Sequence, residues 1–233
     1  MVWKELRQIL GIALVALVLY ALLVLLQVRP QTLTAIPLSD TLDNFFNLSI
    51  RQSNQEIPFI YDNNFGGRYW WISLLTSLAL GFQQTLVESK HGTYLFLLHR
   101  PATRRWLVGT KLSVGLATYL ICSAMPILIY GGWATRNCML FTWPMTLSCW
   151  HTWLLMTLPY FGAFLTGMRQ GRWYGTRLLP LLAACVPIFL LENMAPQNFL
   201  RFSDLLSPCI AFVLLDILLV IAILFVTKTR DFS

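Results

Sequence analysis

Few residues in this 233-residue sequence could do chemistry. Three histidines (His91, His99, His151), five cysteines (Cys122, Cys138, Cys149, Cys185, Cys209) and ten acidic residues are its whole stock of bases, thiols and carboxylates. No cysteines form a C-x-x-C pair and no histidine stands beside them at ligand spacing, so no metal site is expected. The cysteines read as small apolar fillers, with Cys138 and Cys149 able to pair on an oxidising face. The phosphate-cradling G-x-x-x-x-G-K-[ST] loop is absent, as are H-E-x-x-H and G-x-S-x-G. His151 has no adjacent carboxylate or nucleophile and reads as an interfacial polar residue. These absences argue against an enzyme acting alone.

Asp216 is the acidic residue in an unexpected place. It is flanked by Leu214, Leu215, Ile217 and Leu218, and an ionised carboxylate at the centre of a membrane helix costs roughly 2.5–3.5 kcal/mol on insertion scales. It should therefore face other helices or water. Two readings stand: a residue of a substrate or proton path, or a helix-to-helix hydrogen bond to a Ser or Thr.

The second informative stretch runs from Glu88 to Lys111. After Gly92, the residues Tyr94, Leu97 and Leu98 fall on one helical face at i, i+3, i+4, and Leu95 and Phe96 widen it. Arg100 and Pro101 stop this short helix, and Thr103 can cap a new one that Arg104 and Arg105 begin. An apolar helix flanked by fixed positive charge suits either a lipid surface or a groove in another protein.

The elements that must position these residues follow from composition. The apolar set (AVILMFWYC) is 57% of the chain and charged residues are 12%, against about 25% in a soluble domain. A soluble enzyme, a disordered chain and a disulfide-stapled secreted domain are excluded. The net charge of +7 is spread in short stretches between apolar runs, without a long basic block, so nucleic acid is not an expected partner. A helix crosses the hydrocarbon with about 20 apolar residues. Six segments qualify: Ile9 to Val28, Tyr69 to Val87, Leu107 to Gly131, Thr146 to Thr166, Leu178 to Leu191 and Leu205 to Thr227. The first is too long for a signal peptide and is read as retained. The fifth is short and carries Pro180 and Pro187, so it either crosses with snorkelling ends or partly re-enters.

Six crossings put Lys4, Arg7, Lys90, Arg100, Arg104, Arg105, Lys111, Arg169, Arg172, Arg177, Lys228 and Arg230 on one side. Only Arg29, Arg51, Arg68, Arg136 and Arg201 fall on the other. By the positive-inside rule both termini are cytoplasmic. The tryptophans fall at the predicted boundaries, Trp70, Trp71, Trp133, Trp143, Trp150 and Trp153 outside and Trp3, Trp106 and Trp173 inside. The long outer loop, Arg29 to Arg68, contains one stretch, Leu42 to Ile50, apolar enough for a surface helix. The expected fold is one all-α transmembrane domain over residues 1–233: six spans, with a short cytoplasmic helix between the second and third.

The pattern Glu-x-x-x-Gly-Thr, an aromatic and leucine run, Arg-Pro-x-x-Arg-Arg and then Gly-x-Lys resembles the permease subunits of type-2 ABC exporters. Glu88, Gly92, Thr93, Leu97, Leu98, Pro101, Arg104, Gly109 and Lys111 carry the match over about 25 residues, and six spans with cytoplasmic termini agree with it. His99-Arg100 departs from the family, which more often has a small polar residue before the proline. The resemblance implies that this loop is a coupling helix seated in a separate ATP-binding-cassette subunit. Glu88, Gly92, Thr93, Tyr94, Leu97, Leu98, Arg100, Pro101, Arg104 and Arg105 are then the contact residues. It implies a substrate path between two permeases, as a homodimer or with a second permease. It implies no cofactor on this chain, ATP and magnesium being held by the partner. An interfacial helix before the first span, where Met1 to Gln8 is basic and amphipathic, and re-entrant turns near Glu192 to Pro208 are further family expectations. Compactness favours a bacterial inner membrane.

Three other classes remain open. A proton-coupled secondary transporter would use Asp216, although no inverted repeat is present. A membrane assembly subunit would use the docking helix without transporting anything. An intramembrane enzyme lacks a visible nucleophile–base set.

Overall fold

The computed structural model describes residues 2–32, 63–91, 104–137, 141–168, 174–194 and 202–229. Among the described residues every regular element is helical. They are α1 (Val2–Thr32), α2 (Asn63–His91), α3 (Arg104–Asn137), a 3-10 turn (Trp143–Thr146), α4 (Leu147–Leu155), α5 (Thr157–Met168), α6 (Tyr174–Met194) and α7 (Phe202–Thr229). Three of these contain stretches long and apolar enough to cross a bilayer: Arg7–Val28, Trp106–Arg136 and Cys209–Thr227. The chain is therefore an integral membrane protein. The apolar part of α6, Leu178–Ile188, is shorter.

Several sequence expectations change in detail. The basic N-terminal segment is no separate interfacial helix, because α1 is continuous from Val2. Nothing in its sequence before Pro30 breaks the hydrogen-bond ladder. The segment Leu178 to Leu191 lies inside one helix despite Pro180 and Pro187. The segment Thr146 to Thr166, expected as a single span, is broken at Met156 into α4 and α5. Cys149 is a free, buried thiol, so the pairing with Cys138 is not made. The stretch Leu42 to Ile50 lies outside the described residues, as do residues 195–201 of the outer stretch.

α5 is the centre of the bundle. All twelve of its residues are buried, and α2, α6 and α7 pack around it while α1 lies against α2 and α3. Burial on every side requires close helix approach, which small residues permit. A Cβ on Gly81 of α2 would stand 2.7 Å from the Tyr160 carbonyl oxygen, and one on Gly162 of α5 would stand 2.6 Å from Ala184 Cβ of α6. Tyr160, Phe161 and Phe164 then pack with Leu80, Tyr119, Ile188, Phe212 and Ile223 in one apolar core. A second core, built on Tyr20, Phe65, Tyr69, Ile127 and Tyr130, joins α1, α2 and α3.

The outward faces are apolar. On α7 the buried stripe holds Phe212, Ile223 and Thr227, whereas Val213, Leu214, Ile217, Leu218, Ile221 and Phe225 are exposed. α1 likewise exposes Leu14, Val15, Val18, Leu22 and Leu25. Patches of this extent do not stay bare on a soluble monomer; here they suit lipid.

Candidate functional site

The break in the fourth segment has a local cause. Pro159 has no N–H to return to the Leu155 carbonyl, and its ring crowds that oxygen. Met156 N still reaches the Thr152 carbonyl at 3.1 Å, and the helix then restarts at Thr157. Side chains serve the carbonyls just before the restart. The Tyr119 hydroxyl of α3 donates to the Trp153 carbonyl at 3.2 Å, and the Thr157 hydroxyl lies 2.6 Å from the Leu154 carbonyl. In return the Trp153 indole N–H donates to the Leu120 carbonyl of α3 at 3.0 Å. Irregular backbone at membrane depth persists only with such replacement partners.

Asp216 of α7 meets this break. Its Oδ2 lies 2.6 Å from Thr157 Oγ1, and its Oδ1 is buried with no hydrogen-bond partner. The sequence allowed a hydrogen bond from Asp216 to a Ser or Thr of another helix, and Thr157 is that residue. One turn away along α7, Phe212 packs against the His151 ring of α4, with centroids 5.1 Å apart. His151 is 5% exposed. Its ring is buried because α4 turns that face toward α7.

A second polar cluster ties α5 to α2 and α3. Gln84 Nε2 donates to the Lys111 carbonyl at 2.9 Å, and the Tyr160 hydroxyl lies 2.8 Å from Gln84 Oε1 and 2.9 Å from the Leu112 carbonyl. Gly115 of α3 faces Gln84 and Tyr160, and a Cβ there would collide with both side chains. Lys111, counted from sequence among the inner basic residues, is 4% exposed. The polar side chains Gln84 and Tyr160 inside apolar runs were the sequence's only hint of this cluster.

The Gln84–Lys111 bond puts the end of α2 and the start of α3 side by side. Of the predicted contact residues, Glu88 falls in the last turns of α2, and Arg104 and Arg105 open α3. Gly92, Thr93, Tyr94, Leu97, Leu98, Arg100 and Pro101 lie outside the described residues. The proposed cap Thr103 lies there too.

At the opposite end a cavity of about 330 Å³ is lined by Gly66, Gly67, Trp70, Trp71, Ser148, Cys149 and Thr152. It combines two indoles with two hydroxyls between α2 and α4. Among the described residues no three His, Cys, Asp or Glu side chains come together as a metal site.

Comparison of the chain with protein-family models, curated proteins and solved structures finds no match.

Proposed function

We propose that this chain is the membrane-spanning subunit of an ATP-driven exporter. It forms a substrate path as a dimer, with a second copy or a second permease, and couples through residues 88–105 to a separate ATP-binding-cassette subunit. In this reading α2, the α4–α5 pair and α6 join the three long apolar helices to make six crossings. Both termini lie in the cytoplasm of a bacterial cell, and the partner holds ATP and magnesium.

The observation that carries the reading is the register set by Gln84 and Lys111. The two long helices that flank the sequence resembling a coupling helix are cross-bonded to each other. Tyr160 bonds both of them from buried α5, so a push on the loop is transmitted to the helix whose broken end meets Asp216.

The test is co-purification in mild detergent, with ATPase activity assayed in the eluate. A stoichiometric ATPase should come down with the wild type and be lost from Arg104→Glu/Arg105→Glu. If no ATP-hydrolysing subunit accompanies the wild type in several detergents, the reading fails. The Asp216–Thr157 contact at a helix break favours a second reading, a proton-coupled secondary transporter. Transport that needs ATP and survives ionophores separates the first from the second.

A further inference from the structure

The cavity between the first turns of α2 and α4 is bordered by two residues that packing does not require to be small. Elsewhere in the bundle glycine lets helices touch, since a Cβ on Gly81 or Gly162 would run into a neighbouring helix. Gly66 and Gly67 of α2 line the cavity, and a Cβ on either would meet nothing within 4 Å. Each is also a poorer helix former than alanine. What their missing side chains preserve is open space of about 330 Å³. That is the lower end of the range for small-ligand sites, about 300–1,000 Å³.

The walls of that space differ in chemistry. On α2 the glycines sit one turn before Trp70 and Trp71, on the same side of the helix. The two indoles meet nearly at right angles, with centroids 4.8 Å apart and planes at 81°. Trp70 is 9% exposed and Trp71 60%, so one ring forms the inner wall and the other the mouth. On α4, Ser148 and Thr152 stand one turn apart. The Thr152 hydroxyl donates to the Ser148 carbonyl at 3.1 Å, which leaves its lone pairs to accept, and the Ser148 hydroxyl can donate. No lining residue carries a charge. A purely apolar guest would strip water from both hydroxyls without replacing it, and an anion would find no cation in the lining. A methylated ammonium would use the indoles alone, with Arg68 adding positive charge at this end of α2. The guest that uses both walls is uncharged, with C–H groups on a flat face and hydroxyls around its edge. A pyranose ring has that form, its C–H hydrogens meeting the negative face of an indole.

We propose that this cavity binds a neutral pyranose ring, with the indoles taking its C–H face and Ser148 and Thr152 its hydroxyls. Indoles favour the headgroup layer of a bilayer, so a sugar carried on a lipid reaches the mouth at the right depth. A free sugar has the same chemistry, and the experiment below separates the two sources. The site is independent of the exporter reading, since it lies at the other end of α2 from Gln84 and the loop that follows.

The test uses the full chain alone in phosphatidylcholine nanodiscs doped equally with monoglucosyl diacylglycerol and plain diacylglycerol. Native mass spectrometry of the released protein counts the lipid that stays bound. The wild type should retain the glucolipid in preference to diacylglycerol and phosphatidylcholine. Gly66→Leu and Gly67→Leu plant a side chain in the open space, so each should weaken retention by at least about tenfold with the melting temperature unchanged or raised. Trp71→Ala removes a mostly exposed ring, should weaken retention about as much, and serves as the readout if the leucine variants fail to fold. Displacement of the glucolipid by millimolar methyl β-glucoside supports the site with free sugar as a sufficient ligand. Retention that withstands the glucoside supports it with the lipid-borne headgroup as the ligand. No preference for the glucolipid in the wild type, or undiminished preference in folded Gly66→Leu, Gly67→Leu and Trp71→Ala, would overturn the site. No ATPase is present, so that failure leaves the exporter reading untouched, and failure to co-purify an ATPase leaves the site standing.

Discussion

Tyr160 places its hydroxyl 2.8 Å from Gln84 Oε1, joining the buried helix α5 to α2, and the same hydroxyl stands 2.9 Å from the Leu112 carbonyl of α3. Three helices therefore meet at one oxygen. Interhelical hydrogen bonds in membrane bundles average about 0.6 kcal/mol and reach about 1.7. Tyr160→Phe leaves two buried acceptors without their donor, so its cost should lie toward the upper end, about 1–2 kcal/mol. Adding Gln84→Leu should cost less than the two single changes combined, because the two side chains act as one unit. Thermal unfolding of the four proteins in detergent measures the coupling, and strict additivity would show that the cluster is not a link.

The glycines of the bundle separate into two kinds. A Cβ on Gly167 would run into Thr85 Oγ1, whereas one on Gly132 would meet nothing within 4 Å. Gly167→Ala should therefore destabilise, by about 1–3 kcal/mol for overpacking. Gly132→Ala should gain up to about 1 kcal/mol from helix propensity. Opposite shifts in melting temperature are the expected result; shifts of the same sign would contradict the close approach of α2 and α5.

The six-crossing topology depends on α6, whose apolar stretch Leu178–Ile188 is the short one. With the helix unbroken from Tyr174 to Met194, its length is about 31 Å, enough for the hydrocarbon. A fluorescent protein fused after Ser233 should then fluoresce and a periplasmic phosphatase fused there should be inactive. Reporters after Met194 should give the reverse. If the arrangement is the opposite, cytoplasmic after Met194 and periplasmic after Ser233, α6 does not cross.

Composition and the spacing of apolar runs made the helices legible, because lipid forces backbone hydrogen bonds inside each segment. Asp216 was legible for the same reason: a carboxyl among leucines must find a partner, and the short list of partners included a threonine. Which threonine was not readable, since Thr157 and Asp216 meet only through the packing of α5 on α7. The burial of His151 and Lys111 was not readable, because a polar residue near a segment end can lie at the surface or turn inward, and only the neighbouring helix decides. The break at Met156 had its sign in Pro159, but α6 carries two prolines and stays unbroken. A proline alone therefore does not tell a kink from a break. At Met156 the difference is a hydroxyl on either side, Tyr119 and Thr157, ready to serve the Trp153 and Leu154 carbonyls.

That account predicts what Pro159→Ala does. The alanine restores an N–H for the Leu155 carbonyl and removes the ring that crowds it, so α4 and α5 can run on as one helix. Relieving an interior proline is worth up to about 3 kcal/mol in a regular helix, and part of it should appear as a higher melting temperature. Backbone amide exchange around residues 157–160 should slow. Rejoining the helix also moves the Thr157 hydroxyl relative to α7, so the 2.6 Å contact with Asp216 should loosen. A more stable protein with slower exchange would mean that Pro159 makes the break. Unchanged exchange at 157–160 would mean that packing of α5 against its neighbours holds the two pieces apart, with Pro159 merely accommodated there.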